Sequence, residues 1–194
     1  MARTLLSAIV TTALATTAVY AQRGAGPADP VGIAAGFQNA YNAVKRNITQ
    51  SAELVPEAGY GLKPSTMEDM KTYGQVIGHV ADAQFNQCSG ALGMPNPNQG
   101  NSFEAPGKAR AEILKALADS FALCDKAFEA LTDANASEML TSGRGGPRAR
   151  ATALLGVIAH GNEMYGIYTV YQRAQNLVPP STAARGRGRG GRGN

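Results

Sequence analysis

Apolar residues recur at intervals of three and four positions along four stretches of this chain. That spacing is typical of amphipathic helices, in which one apolar stripe faces a core. The predicted helices run from about 31 to 52, from Ser65 to the glycines at 90 and 93, from about 108 to 131, and from about 148 to 177. No alternating run is long enough to require a β-sheet.

A capping-box pattern predicts where the second helix starts. Ser65 is followed three residues later by Glu68. The serine hydroxyl and the glutamate carboxylate of such a pair each accept a hydrogen bond from a free backbone N–H of the first helical turn. We therefore expect this helix to begin at Ser65.

Four helices of similar length, each with one apolar stripe, bury those stripes most simply as a four-helix bundle. The predicted segments have roughly 22–28 residues, which corresponds to about 33–42 Å of helix. The connectors between them are long, so a crossover can replace a simple hairpin between antiparallel neighbours. We therefore expect one all-α domain over residues 31–182.

The two ends of the chain differ in composition from this predicted bundle. Residues 1–21 combine a basic start, an apolar stretch and small residues before Gln22, which is the pattern of a secretory signal peptide. Residues 22–30 are rich in glycine and proline, and we expect them to be flexible. Residues 183–194 end in RGRGRGGRGN, which offers nothing apolar to bury and predicts a disordered tail.

The signal peptide predicts export to the periplasm or outside a bacterial cell, without a transmembrane anchor. The formal net charge of +4 arises at the ends of the chain, because Arg3 and four arginines of the tail lie there. The remaining 13 basic residues face 14 acidic ones. A nearly neutral body argues against a nucleic-acid-binding domain, which needs lysine and arginine clustered on a folded face.

The chain has two cysteines, Cys88 late in the second predicted helix and Cys124 late in the third. In an exported protein such a pair favours a disulfide. The bond requires the two Cα atoms to approach to roughly 4.4–6.8 Å. The alternative is a pair of buried free thiols.

The chain also has two histidines, which lie on two different predicted helices. His160 and Met164 are one turn apart on the same side of the fourth helix, and His79 lies on a stripe of the second that borders the core. Facing helices of a bundle can build a metal site from such residues. The competing interpretation is two core histidines, each with a ring N–H bonded to a backbone carbonyl or a tyrosine. Asp82 and Glu163, three residues after each histidine, are candidate ligands, partners for an imidazole N–H, or solvated surface residues.

Five segments can be compared with known families: HVADA at 79–83, SFALCDKAF at 120–128, HGNEMYG at 160–166, YQR at 171–173 and VPPS at 178–181. Together they resemble the DinB-like superfamily, which includes bacillithiol and mycothiol transferases. The resemblance covers about residues 31–182 and is most specific in the last helix. It implies a four-helix bundle with up-down-down-up connectivity.

In metal-binding members of this family, three histidines hold a divalent ion, commonly zinc or nickel. His79 and His160 match the first two, whereas Met164 stands where the third would be. A thioether is a poor ligand for zinc. The resemblance therefore implies an incomplete site with weak affinity for zinc or nickel, although two imidazoles and a thioether suit Cu(I).

Two hypotheses about function follow. The first is an exported, non-catalytic bundle that binds metal weakly, or takes an unidentified small molecule or a second copy of the chain as its partner. The second is an active metal-dependent hydrolase or thiol transferase that uses His79, His160 and a third ligand, for which Asp82 and Glu163 are candidates. Export disfavours the transferase, since low-molecular-weight thiols are mainly cytosolic. No catalytic residue is identified.

Overall fold

The computed structural model describes residues 31–141 and 146–190, with side chains as far as residue 186. Within these ranges the chain is mostly helical, which confirms the predicted all-α bundle. The helices are α1 Ile33–Leu54, α2 Tyr73–Leu92, α3 Arg110–Glu129, α4 Arg150–Ala174 and α5 Pro180–Gly190, and a 3-10 helix covers Glu57–Gly61. Two short strands, β1 Met139–Leu140 and β2 Arg148–Ala149, pair antiparallel before α4.

Helices α2 and α3 lie side by side and run in the same direction. Ser120 donates a hydrogen bond to the side-chain oxygen of Gln84 at 2.8 Å. Four residues further along each helix, Cys88 is bonded to Cys124. In each pair the two residues are 36 positions apart in sequence. This separation stays constant from one contact to the next only when the two helices are parallel. The connector from the end of α2 to the start of α3 must therefore travel back along the bundle.

Helix α4 runs antiparallel to α2. Arg150, at the start of α4, donates to the carbonyl of Ala91 near the end of α2, and Tyr171, near the end of α4, donates to the carbonyl of Lys71 just before α2. The same reversal relates α1 to α3, as seen in the pairs Tyr41–Asp125 and Arg110–Val55. The four directions are therefore up, down, down and up.

Buried tyrosines hold the helices in register at the centre of the bundle. The hydroxyl of Tyr73 donates to the carbonyl of Ser51 at 2.7 Å, and that of Tyr168 donates to the carbonyl of Val76 at 3.2 Å. A buried hydroxyl without a partner costs about 1–3 kcal/mol. These bonds thus favour one alignment of α1, α2 and α4 over its neighbours.

The predicted start of α2 is wrong, because the helix begins at Tyr73 and not at Ser65. The capping box that operates is formed by Thr72 and Gln75, whose side chains each accept a hydrogen bond from the other's backbone N–H. Ser65 instead accepts a hydrogen bond from the N–H of Met67 in a local turn. Residues 62–72 are non-helical: the N–H of Tyr73 donates to the carbonyl of Leu62, and the hydroxyl of Tyr171 donates to the carbonyl of Lys71.

The disulfide predicted between Cys88 and Cys124 is confirmed. The bond joins α2 to α3, and the two Cα atoms are 5.1 Å apart. Both cysteines are fully buried. The bond thus fastens the parallel pair inside the core.

The predicted signal peptide and flexible segment, residues 1–30, lie outside the described residues, as do residues 191–194 of the tail. The described part of the predicted disordered tail continues α5 as far as Gly190, and Ala184, Arg185 and Gly186 are exposed. Residues 185–194 contain only arginine, glycine and asparagine, so they gain little from packing, and this composition is the basis for the predicted disorder. None of the described helices is long and apolar enough to cross a membrane.

Candidate functional site

The imidazole rings of the two histidines meet between α2 and α4. The Nε2 atoms of His79 and His160 are 3.2 Å apart, and the rings are inclined at 67°. His79 is in the second turn of α2, whereas His160 is near the middle of the antiparallel α4. Both side chains are only partly buried. The two helices therefore bring a pair of ring nitrogens together on partly exposed side chains.

A carboxylate from the connector between α2 and α3 contacts the ring of His79. Nδ1 of His79 is 2.8 Å from Oε2 of Glu104. Because an ionised carboxylate only accepts hydrogen bonds, Nδ1 carries the proton and donates it. Nε2 of the neutral ring then keeps its lone pair, which can accept a hydrogen bond from Nε2 of His160 when that atom carries a proton. Lys71 forms an ion pair with the other oxygen of Glu104.

The surroundings of both histidines favour the neutral imidazole. Burial lowers the pKa of His79, and the positive charge of Lys71 lowers it further, whereas Asp82 and Glu163 oppose this shift. Burial also lowers the pKa of His160, followed by the effect of His79. Neutral imidazole is the form that binds metal ions. The neutral form that can coordinate a cation is therefore favoured at neutral pH.

Asp82 organises the connector and is not directed at the histidine rings. Its carboxylate accepts hydrogen bonds from the backbone N–H groups of Phe103 and Glu104, at 2.9 Å and 3.1 Å. The side chains of Asn98 and Ser102 donate to it as well. Asp82 thus shapes the loop that delivers Glu104.

Glu163 and Met164 have different surroundings on α4. Glu163 is exposed, and its charge acts on both histidines. Met164 is buried, with 6% of its surface exposed, and it packs in the bundle core. Among the described residues, no group of three or more histidine, cysteine or acidic side chains is arranged to hold a metal ion.

Neither Glu104 nor Lys71 was predicted from the sequence. Both lie outside the regular helices, in connectors where apolar periodicity carries no information about side-chain direction. Glu104 is 25 residues from His79. The available signal was one acidic residue within a connector long enough to fold back across α2, and that is too weak to select it.

The chain is similar to a known protein family in sequence and to two solved structures in fold. The family model described as "DinB superfamily" matches residues 40–166. A DinB-like protein from Bacillus cereus superposes with a TM-score of 0.62 at 19% identity, covering 75% of this chain and 94% of that one. A conserved protein from Enterococcus faecalis superposes with a TM-score of 0.58 at 12% identity, covering 75% and 98%. These structures share the fold.

A mycothiol-dependent maleylpyruvate isomerase gives a TM-score of 0.48 at 16% identity over 68% of this chain and 60% of its own, a likeness too weak to support an argument. The comparison with curated proteins gives no match. The family match spans well over half of the chain, including all four bundle helices in whole or in part. The protein therefore belongs to the DinB superfamily.

Proposed function

We propose that the protein is an exported, non-catalytic member of the DinB superfamily whose histidine pair forms an incomplete metal site of weak affinity for zinc or nickel. The observation that carries the proposal is the approach of two Nε2 atoms to 3.2 Å without a third histidine, cysteine or acidic ligand among the described residues. Export is supported by the sequence pattern of residues 1–21.

The spacing of the two nitrogens fits a shared ion. Two imidazoles bound to tetrahedral zinc at about 2.0–2.1 Å have nitrogens about 3.3–3.4 Å apart. The observed 3.2 Å is close to that separation. The pair therefore needs little rearrangement to hold one cation between its lone pairs, once Nε2 of His160 gives up its proton to solvent or to its own Nδ1.

The donor set does not fit a three-ligand divalent site. The carboxylate of Glu104 lies on the far side of His79, where it is already bound to Nδ1 and to Lys71. Met164 supplies a neutral thioether at best, which is a poor partner for Zn²⁺. Because two imidazoles cannot complete the three protein ligands of a catalytic zinc site, activation of a bound water is not expected.

Metal binding by the mature protein tests this proposal. We expect the chain from Gln22 onwards to lose Zn²⁺ or Ni²⁺ on gel filtration, and His79→Ala or His160→Ala to abolish the remaining weak binding in calorimetry. Met164→His should restore a third imidazole and retain close to one ion per chain. Met94→His, which alters a methionine outside α2 that is 43% exposed, is the matched control.

The active-enzyme hypothesis predicts the opposite result. A wild-type protein that retains one ion per chain as firmly as Met164→His would refute the incomplete site. Loss of that ion in His79→Ala and His160→Ala would then favour a metal-dependent hydrolase or thiol transferase. The third ligand would remain to be located, with Glu163 the nearest acidic candidate on α4.

A second candidate is Cu(I), which is favoured by the position of Met164 one helical turn after His160 on α4. Thioether and imidazole ligands suit this soft, monovalent ion. In an anaerobic competition with bicinchoninate, Met164→Leu should weaken Cu(I) binding, whereas Met94→Leu should not. Equal affinities for the wild type and Met164→Leu would rule out a ligand role for the thioether.

A further inference from the structure

Hydrogen bonds to the carboxylate of Asp82 hold the connector between α2 and α3 against α2. The carboxylate accepts hydrogen bonds from Ser102 and from two successive backbone N–H groups, those of Phe103 and Glu104. Asn98 adds a further bond from its side chain. A carboxylate that accepts several such bonds holds a loop in one conformation, since charge-assisted hydrogen bonds are roughly twice as strong as neutral ones.

Gly78 allows this loop to lie directly on the helix. A Cβ atom at Gly78 would overlap the backbone carbonyl of Phe103. That carbonyl belongs to the residue before Glu104, and Gly78 is the residue before His79. The absence of a side chain at Gly78 therefore brings the backbone of the loop close enough for Glu104 to reach the imidazole.

Glu104 contacts Nδ1 of His79, the ring nitrogen that does not face His160. It accepts a hydrogen bond from Nδ1 at 2.8 Å, while Nε2 faces His160 at 3.2 Å. Lys71 compensates the charge of Glu104 from its other oxygen. The ring is thus held at both nitrogens, and its lone pair is directed between the helices.

We propose that Glu104 is a positioning residue that fixes His79 as a lone-pair donor at Nε2, and that Asp82 influences the tautomer of His79 through Glu104. Without Glu104 a neutral imidazole can carry its proton on either nitrogen and can turn about its side-chain torsions. A carboxylate on the outer nitrogen of a metal-binding histidine removes that freedom and makes the ring a better ligand. The inference rests on the proposed ligand function of the pair, but the tautomer itself can be measured without any metal.

The tautomer is read from the ¹⁵N chemical shifts of the His79 imidazole in metal-free protein at a pH where the ring is neutral. We expect the wild type to be protonated at Nδ1. Glu104→Ala should give a mixture of tautomers, and Glu104→Gln should retain most of the Nδ1–H form, because the amide oxygen can still accept.

The decisive variant is Asp82→Ala, which alters a residue without a hydrogen bond to the ring. It should shift the tautomer in the same direction as Glu104→Ala, and the double variant should add nothing further. Asp119→Asn, which removes a charge from an exposed side chain of α3, is the control and should leave the spectrum unchanged. If Asp82→Ala does not fold, Asp82→Asn replaces it. The neutral amide accepts hydrogen bonds from the two backbone N–H groups more weakly than the carboxylate does.

Metal affinity gives a second readout that separates the two proposals. With Ni²⁺ as the probe, Glu104→Ala should bind about 10–100-fold more weakly than the wild type. A wild type that binds no Ni²⁺ would overturn the metal proposal and leave the tautomer result standing. A His79 spectrum in Glu104→Ala identical to that of the wild type would overturn the positioning role, whatever the metal result.

Discussion

The bond between Cys88 and Cys124 allows a quantitative test of what holds the bundle together. It closes a loop with a sequence separation of 36 residues, which includes the whole connector between α2 and α3. A chain-entropy treatment of a loop of that length gives about 13 cal/mol/K, or about 4 kcal/mol at 25 °C, of stabilisation through the unfolded state. For a domain of this size, we expect removal of the bond to lower the melting temperature by about 8–16 °C.

The assay compares oxidised protein, protein reduced with a phosphine, and a Cys88→Ala/Cys124→Ala variant in urea. Reduction keeps both sulfur atoms, so it isolates the loss of the covalent link, whereas the double variant adds the cost of two small cavities at fully buried positions. Mass spectrometry without reductant should show the oxidised protein two hydrogens lighter than the dithiol.

The double variant also serves as the control for the reductant, because its stability should not respond to phosphine at all. If reduced and oxidised wild-type protein unfold at the same urea concentration with the same slope, the link does not restrict the unfolded chain as argued. A stability loss much larger than about 4 kcal/mol would instead indicate that the native packing of α2 on α3 depends on the bond.

Three further predictions concern local structure. Thr72→Ala should cost about 1 kcal/mol in urea unfolding because Thr72 caps α2, whereas Ser65→Ala should cost clearly less; equal losses would contradict the assigned start of α2. Gly78→Ala should be destabilising because its Cβ meets the Phe103 backbone, whereas Gly156→Ala, which has open space in α4, should stabilise by up to about 1 kcal/mol. The lowered pKa values of His79 and His160 mean that the unfolded chain binds more protons below pH of about 6.5. The free energy of unfolding should therefore decrease as the pH is lowered from about 7.5 to about 5.5. His160→Gln should make this decrease smaller.

The helices could be predicted from the sequence because their signal is local. Each apolar stripe marks a helix whether or not its partner is known, and α1, α3 and α4 begin and end close to the predicted positions. The start of α2 could not be predicted in this way. Ser65 and Thr72 both begin a capping pattern, and nothing local in the sequence decides between them.

The histidine pair was predictable to the extent that it depends on helix faces. His79 and His160 lie on stripes directed towards the core, and the bundle brings those stripes together. The role of Asp82 was not predictable, since the three-residue spacing from His79 places it near the ring without showing that its carboxylate turns towards the connector. Glu104 depends on the path of that connector, which no periodicity describes.

The connectivity of the bundle explains why an additional carboxylate can reach the histidine. If α2 and α3 were an antiparallel hairpin, a short turn would join them and no chain would pass along α2. Because they are parallel, the connector must return over the length of the bundle and passes His79 on the way. The crossover thus supplies the carboxylate that orients one imidazole, while the second imidazole comes from the antiparallel α4. In the proposed site Met164 takes the place of a third ligand, and the hydrogen bond from His79 to Glu104 does not involve it. Met164→His should therefore suffice to give a tight site.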